Sequence, residues 1–569
     1  MLLVIPPFAF CALSGMEVAF AAALLVASLL LLVDQSADGP PTKRLVACLA
    51  AASLSRPEAM LLVGAIVGIA VLARLRKRAW KPAAWWLLPL VPPIVWLLAN
   101  RLIAGNFFPN TGVAKSHFYL PGFDWVYWKL TVVDLTKKMF RGLFWEKTSP
   151  LLWPRVVLAL FLFGSARIAW WAWREKKFLV GALVILAPFM MMMSVVASSG
   201  LWSFQNYRYI APALPLLFIP VGFAFAPPDS LPAALTPYRR WIRRGWVAAS
   251  SVLVVFFILA ARKPLVADMR LFAQGAMDTN TQVVAIGNYL HRKLPDARVM
   301  FHDAGAIAYY GDGEVYDMLG LVTNHQAGIA NNGPGARFEF LESIPPDRRP
   351  THFAYYPGWM GTPEFYGEAL MHTSLRRGID PSGRRLVGEG DMQILTAVWD
   401  HAGTAERPLN DHTGWALVDR LDVADIASER AHDWVGKMGR RKFGDPTARW
   451  SVVEKETAHG LLIDGGRTIR DGGETFTVHV VPDKPTRIVI RTGGQPTYPW
   501  HEQITKPVQM TLWSGTKKLG ELTVAPPTGQ FSELTFNVQA HALPQAASEI
   551  RVEASGIYRV FHWFVLQPE

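Results

Sequence analysis

The amino-acid sequence predicts a polytopic α-helical membrane domain, followed by a small exported α/β domain and a C-terminal β-sandwich of jelly-roll type. Three observations lead there. The first 262 residues carry repeated apolar runs close to the ~20 residues a helix needs to cross a ~30 Å hydrocarbon core. The same residues hold 26 Lys+Arg against 9 Asp+Glu, whereas the remainder holds 31 against 36, so the net +12 of the chain belongs entirely to its apolar half. From about residue 445 the pattern changes to short alternating segments separated by turn residues.

These values also exclude classes. A chain of 569 residues that is 51% hydrophobic, with 22 Trp and a mean hydropathy of +0.19, fits neither a disordered protein nor a wholly soluble globular one. Basic residues confined to the apolar half remove the main support for nucleic-acid binding. Cys11 and Cys48 both lie in apolar runs, so neither a disulfide nor a cysteine-based zinc site can hold the C-terminal half together.

Taken in order, residues 1–13 are apolar but too short to span, lack the basic flank of a signal peptide, and run into Ser14-Gly15. They read as the end of a helix whose beginning is missing. Spans are expected at 16–33, 83–103, 156–173, 178–198, 207–226 and 246–262, with 45–55 and 58–73 as two halves of a shallow pair meeting at Ser55-Arg56-Pro57-Glu58. Four basic clusters fall in alternate loops: Lys43-Arg44; Arg74, Arg76, Lys77, Arg78 and Lys81; Arg174, Lys176 and Lys177; Arg239, Arg240, Arg243 and Arg244. Placing all four in the cytoplasm satisfies the positive-inside rule and makes residues 263–569 extracytoplasmic.

That topology gathers the unusual polar residues on the outer face. Glu17 opens an inward helix, Arg56 and Glu58 sit at the tip of the shallow pair, and Asn110, Thr111 and Lys115 follow an outgoing helix. Tyr207 and Arg208, within Gln205-Asn206-Tyr207-Arg208-Tyr209, lie at another outer boundary. Ionisable groups at membrane depth are costly, so their shared location marks a candidate site. Arg and Lys there suit the phosphate of a lipid-linked donor, and a carboxylate suits removal of a proton from an acceptor hydroxyl. Each residue also has a plain structural use: Glu17 and Glu58 favour a helix dipole, Arg56 and Arg208 snorkel, and Pro109-Asn110 makes a turn.

Ser14-Gly15-Met16-Glu17, Ser55-Arg56-Pro57-Glu58-Ala59, Pro109-Asn110-Thr111 with Ala114-Lys115, and Arg208-Tyr209-Ile210-Ala211-Pro212 resemble, in order and spacing over residues 1 to about 230, the integral-membrane glycosyltransferases of the GT-C superfamily. The nearest branch is the bacterial one related to the mycobacterial terminal arabinofuranosyltransferases. Lipid A aminoarabinose and protein O-mannosyl transferases are more distant. The resemblance implies a multi-pass protein of the bacterial plasma membrane that takes a sugar from a polyprenyl phosphate and transfers it to an envelope polysaccharide or glycolipid at the extracytoplasmic face. It implies that Lys115 and Arg208 contact the donor phosphate and that Arg56 and Glu58 organise the cavity. Members of the family carry an acidic base in a first outer loop after an initial helix, and this sequence has neither. Either its start lies too far downstream, or it is a form that binds without catalysing. The catalytic base is left unassigned, with Glu17 as the candidate its location allows.

In the exported half, residues 263–400 read as a strand at Arg298–His302, a capped helix at Asp303–Tyr310, a strand at Val315–Leu319 and a third strand at Thr351–Tyr356, with the strand-helix-strand order favouring a parallel pair. The segment after Asp303 also resembles its counterpart behind the last membrane helix of the same transferase branch. His302 and Asp303 end a strand, where α/β sites lie, although capping by Asp303 and half-burial of His302 are the readier account of them. Residues 401–444 read as a charged, mixed connector. Residues 445–569 read as a sandwich with strands near 475–481, 486–490, 508–513, 522–524, 534–538, 550–554 and 560–565. Tyr498, Trp500 and His501 stand in a loop where an aromatic glycan platform would form. No His/Asp/Glu spacing indicates a metal site, and no cofactor is assigned.

Two functions compete: a polyprenyl-phosphate-sugar-dependent glycosyltransferase, and a non-catalytic membrane-anchored glycan-binding or assembly protein derived from one. A transporter fits less well, because its polar groups belong at the bilayer midplane and these gather at the outer edge.

Overall fold

The computed structural model describes all residues except 1–4, 37–38, 120–122, 124, 228–237, 358–361, 376–377, 379–384, 387–390, 438–450, 459, 471 and 497–502. The chain divides into two compact units, one made of Met1–Pro109, Lys129–Asp278 and Arg377–Val387, the other of Asn110–Trp128, Thr279–Arg376 and Gly388–Glu569.

The first unit is helical. It contains α1 (Pro6–Leu13), α2 (Val18–Val33), α3 (Lys43–Ser55), α4 (Pro57–Arg76), α5 (Trp80–Trp85) and α6 (Val91–Ala104). After α7 (Asn110–Lys115) of the second unit, α8 (Trp125–Phe144) leads into α9 (Pro154–Arg174), α10 (Phe178–Ser198), α11 (Phe204–Tyr207), α12 (Leu214–Phe225) and α13 (Arg239–Thr279). Among the described residues, six helices are long and apolar enough to cross a membrane: α4, the α5–α6 stretch, α9, α10, the α11–α12 stretch and the helix that begins with α13. The pair α1 and α2, bent by 115°, meets the same test when counted as one span.

The sequence-predicted shallow pair is therefore corrected: α4 has 20 residues and is by itself long and apolar enough to cross a membrane. It starts with Pro57 in its first turn, carries Glu58 there, and ends on Arg74 and Arg76, so its charges interact favourably with the helix dipole at both ends. Residues 6–13, expected as the end of a helix, form a short helix of their own, α1. α13 runs without a break through residue 262, where the membrane segment was expected to end, and carries Pro264 inside it. Close helix packing is set by small residues; a Cβ on Gly164 of α9 would stand 1.8 Å from the Pro220 carbonyl oxygen of α12.

In the second unit α14 (Ala285–Lys293) precedes a five-stranded mixed sheet of β1 (Arg298–Phe301), β2 (Glu314–Asp317), β3 (His352–Tyr355), β4 (Tyr366–His372) and β5 (Gln393–Ala397), ordered β2-β1-β3-β5-β4. β1 is parallel to β2 and β3, as the strand-helix-strand pattern predicts, with α15 (Ala306–Gly311) between β1 and β2. One core of this sheet takes Ile286 and Leu290 of α14 and Ile307 of α15. The other takes Phe338 and Leu341 of α17 (Pro334–Ser343), which follows α16 (Gln326–Asn331).

The rest is antiparallel: β6 (Trp415–Asp422), the helix α18 (Ile426–Ala431), β7 (Val435–Gly436), β8 (Ser451–Glu456), β9 (Leu462–Ile469), β10 (Gly473–His479), β11 (Thr486–Gly493), β12 (Gln495–Pro496), β13 (Val508–Ser514), β14 (Lys517–Val524), β15 (Phe531–Val538), β16 (Ala547–Ala554), β17 (Tyr558–Val560) and β18 (His562–Pro568). Sheets β15-β11-β18-β6 and β14-β13-β16-β10-β7 share one core containing Leu421, Phe476, Ile490, Leu512, Val552 and Trp563. The segment 401–444, expected as a connector, thus supplies an edge strand to each. A third sheet, β12-β8-β9-β17, places Val453 and Ile463 in the same core as Phe338 and Phe353, which fuses the α/β part and the sandwich into one body.

Candidate functional site

Three of the motifs that the sequence spaces far apart converge in the helical unit. Arg56 stands in extended backbone between α3 and α4 and is buried. Its Nη1 lies 3.2 Å from Glu17 Oε1, and its Nε donates to Glu58 Oε2 at 3.2 Å. The Tyr209 ring receives two cations, with the Arg56 guanidinium 5.9 Å and the Arg208 guanidinium 5.1 Å from its centroid. Arg208 also donates to the Gln205 side-chain oxygen.

Just before Arg208 the backbone is strained. Gln205, Asn206 and Tyr207 have φ of 45°, 57° and 64°, three successive left-handed residues without a glycine. Each such residue costs on the order of 1–3 kcal/mol, and such strain concentrates where side chains are aimed at a site. Here Asn206 Nδ2 donates to Asp268 Oδ2 at 2.9 Å, and the Tyr207 hydroxyl donates to the Thr148 carbonyl at 3.2 Å. Both residues line a cavity of about 720 Å³, together with Asp268, Glu146, Lys147 and Arg155. The volume is in the range that takes a small-molecule or sugar-sized group. Two carboxylates and two cations in its lining are the kinds of group that accept a proton and hold an anion.

Asn110, Thr111 and Lys115 belong to the other unit, on α7, where the Asn110 amide donates to Asn324 Oδ1 at 2.8 Å and Asn331 donates to the Val113 carbonyl at 3.2 Å. Asn110 is thereby committed to tying α7 to the residues around α16. Tyr498, Trp500 and His501 lie outside the described residues.

His302 and Asp303 part company with the capping account. The N-cap of α15 is Gly305, and no side chain caps that helix. His302 is buried against the rings of Tyr355 and Tyr356, and burial, with Arg337 adding to it, pushes its imidazole down to about 3. Burial and the nearby Asp317 push the Asp303 carboxyl up.

Asp268 and Glu146 were not singled out from the sequence. Asp268 lies beyond the last apolar run, where a lone acid on a helix looks solvated; its sign is the buried spacing Asp268, Leu271, Gly275, Asp278 along one face of α13. The fold also gathers a His/Asp cluster, Asp419, His432 and His479, that sequence spacing did not indicate.

Residues 271–430 match a family described as a domain of unknown function, DUF8728. No curated protein matches the chain. Among solved structures, the arabinofuranosyltransferase AftD from Mycobacteria is similar at 10% identity and a TM-score of 0.28, over 97% of this chain and 50% of that one, so the chain spans half its length. A carbohydrate binding module of Cellvibrio mixtus lichenase 5A, solved with cellotriose, is similar at 13% identity and a TM-score of 0.17, over 27% of this chain and 100% of that one. The module CsCBM6-3 from Clostridium stercorarium, solved with cellobiose, is similar at 14% identity and a TM-score of 0.15, over 24% and 93%.

Proposed function

We propose that this chain is a multi-pass membrane glycosyltransferase that moves a pentose or hexose from a polyprenyl-phosphate donor to an envelope glycan at the extracytoplasmic face of the bacterial plasma membrane. The observation that carries this reading is the Asp268 carboxylate, held by Asn206 at a cavity that Lys147 and Arg155 also line. In transfer, the acceptor oxygen forms a bond to the anomeric carbon while the bond from that carbon to the phosphate oxygen breaks. The phosphate leaves with the electron pair, and Lys147 and Arg155 neutralise it. Asp268 takes the proton from the acceptor hydroxyl as general base. With Asp268 in that role, Glu17 and Glu58 serve to hold Arg56. The family resemblance adds Lys115 and Arg208 as donor-phosphate contacts, and Tyr498, Trp500 and His501 remain the sequence's choice for glycan contact.

The neutralisation of Arg56 by Glu17 and Glu58 favours a second reading, in which the unit keeps a transferase layout without turnover and the chain binds or assembles glycans.

The test is the full chain in nanodiscs with radiolabelled polyprenyl-phosphate pentose and hexose donors and an envelope glycan acceptor. Transfer by the wild type that falls by about 10²–10⁴-fold in Asp268→Asn, with unchanged thermal unfolding, is the expected result. Full activity in Asp268→Asn and in the double variant Lys147→Ala, Arg155→Ala would remove the cavity assignment. Glycan binding by the wild type without transfer from any donor supports the second reading.

A further inference from the structure

Three side chains, Asp419, His432 and His479, meet where the two large sheets of the sandwich approach each other. Asp419 comes from β6, the edge strand of one sheet. His479 ends β10 in the other sheet, and His432 closes α18 between β6 and β7. A bulge sets the aspartate: Val565 of β18 pairs with Asp419 and Leu566 with Leu417, so Val418 is the extra residue and the strand turns at that point. The two histidines then meet the two oxygens of one carboxylate. His432 Nε2 is 3.2 Å from Asp419 Oδ1, and His479 Nδ1 is 3.3 Å from Asp419 Oδ2.

The surrounding hydrogen bonds fix what these atoms can be. His432 Nδ1 donates to the Ser428 carbonyl at 2.7 Å, so in the neutral imidazole Nε2 is a lone pair facing a carboxylate oxygen. Two lone pairs at 3.2 Å repel unless a positive species lies between them. The backbone N–H of His479 donates to Asp419 Oδ2 at 2.6 Å, which anchors that oxygen. A ring nitrogen held by a backbone carbonyl and a carboxylate held by a backbone N–H are the supporting contacts that metal ligands require. Each histidine nitrogen stands 3.2–3.3 Å from a carboxylate oxygen, close to the about 3.3 Å between ligands that lie about 2.0–2.1 Å from a tetrahedral ion, and one donor atom from each of the three residues lies within 4.8 Å of the other two. Asp419 and His432 are largely buried whereas His479 is 52% exposed, so the cluster opens to solvent on one side.

We infer that Asp419, His432 and His479 form a site for one divalent transition cation of the zinc class, a two-histidine, one-carboxylate set whose remaining position faces solvent. Its effect is to clip β6 of one sheet, the end of α18, and β10 of the other sheet, closing an edge of the sandwich. The inference is independent of the transferase reading. The competing account of the same geometry is a proton shared between His432 and Asp419, and the test separates the two.

The experiment uses the full chain in detergent, stripped with a chelator, and titrated with ZnCl2 while bound metal and the unfolding temperature are measured. The wild type is expected to bind one more equivalent than either His479→Gln or His432→Gln, and to gain unfolding temperature that neither variant gains. His479→Gln alters an exposed side chain, which keeps the comparison meaningful if His432→Gln fails to fold. With Co2+ in place of zinc, the wild type is expected to show tetrahedral ligand-field absorption that His479→Gln lacks. Equal zinc stoichiometry in wild type and His479→Gln, or an unfolding temperature that responds to pH and not to zinc, overturns the proposal.

Discussion

Nη1 of Arg56 and Oε1 of Glu17 stand 3.2 Å apart, joining the start of α2 to the junction of α3 and α4. The same guanidinium holds Glu58 at 3.2 Å, so one buried cation organises two acids from separate motifs. Removing it leaves Glu58, only 15% exposed, without its counter-charge, whereas Glu17 is half in solvent.

Arg56→Ala is therefore expected to destabilise the helical unit by roughly 3–5 kcal/mol, the usual cost of orphaning one partner of a buried pair. Glu17→Gln, at the exposed end, is expected to cost about 0–1 kcal/mol. Thermal unfolding in detergent checks both. Wild-type stability in Arg56→Ala would return Arg56 to the role of a free donor-binding cation.

The apolar runs were legible because membrane spans are written in composition: α9 and α10 fall within two residues of where hydropathy puts them. The parallel start of the mixed sheet was legible from its strand-helix-strand order, and most sandwich strands from period-two alternation. What was hidden had buried charge in it. Every residue of β9 is buried, including Asp464 and Arg467, whose charges are met by Arg491 at 2.9 Å and by Glu429 at 2.7 Å. Those partners are distant in sequence, so the strand reads as a polar loop. Asp268 was hidden for the same reason, and the Asp419, His432, His479 cluster because the closing of two sheets, rather than any local spacing, assembles it.

Asn206 gives a finer test of the cavity. Its amide donates to Asp268 from the wall of the same cavity, and a hydrogen bond to a charged group contributes about 1.5–3 kcal/mol. Asn206→Ala is expected to lower transfer roughly 10- to 100-fold, less than Asp268→Asn, with the larger change in kcat than in KM for donor. A variant as active as wild type would show that Asp268 needs no positioning.

Gly164 predicts where helix packing fails. A methyl group there would meet the Pro220 carbonyl oxygen at 1.8 Å, a backbone atom that cannot swing aside. Gly164→Ala is expected to lower stability by about 1–3 kcal/mol or more by forcing α9 and α12 apart. Gly222→Ala, on α12 with nothing within 4 Å of the added carbon, is the control and should melt like wild type.

The sandwich predicts a pH dependence of stability through Glu474. This carboxyl is fully buried in β10, accepting from Trp434 Nε1 at 2.6 Å and from the Tyr558 hydroxyl at 2.9 Å. Burial pushes it up from 4.5 to about 7, against the pull of those donors. The folded chain then keeps a proton that the unfolded chain releases near 4.5. Its stabilising contribution is complete below that value, declines as pH rises towards about 7, and is absent above it, a change on the order of 3 kcal/mol. Glu454 and Glu342, each pushed by burial to about 8, extend the decline in the same direction. Unfolding temperature is therefore expected to fall between pH 5 and pH 8. Glu474→Gln, neutral at every pH and able to keep hydrogen bonds to both rings' polar atoms, should make that fall shallower without removing it. A wild-type unfolding temperature that rises over this interval, or an unchanged slope in Glu474→Gln, would show that the buried carboxyl is ionised in the folded chain.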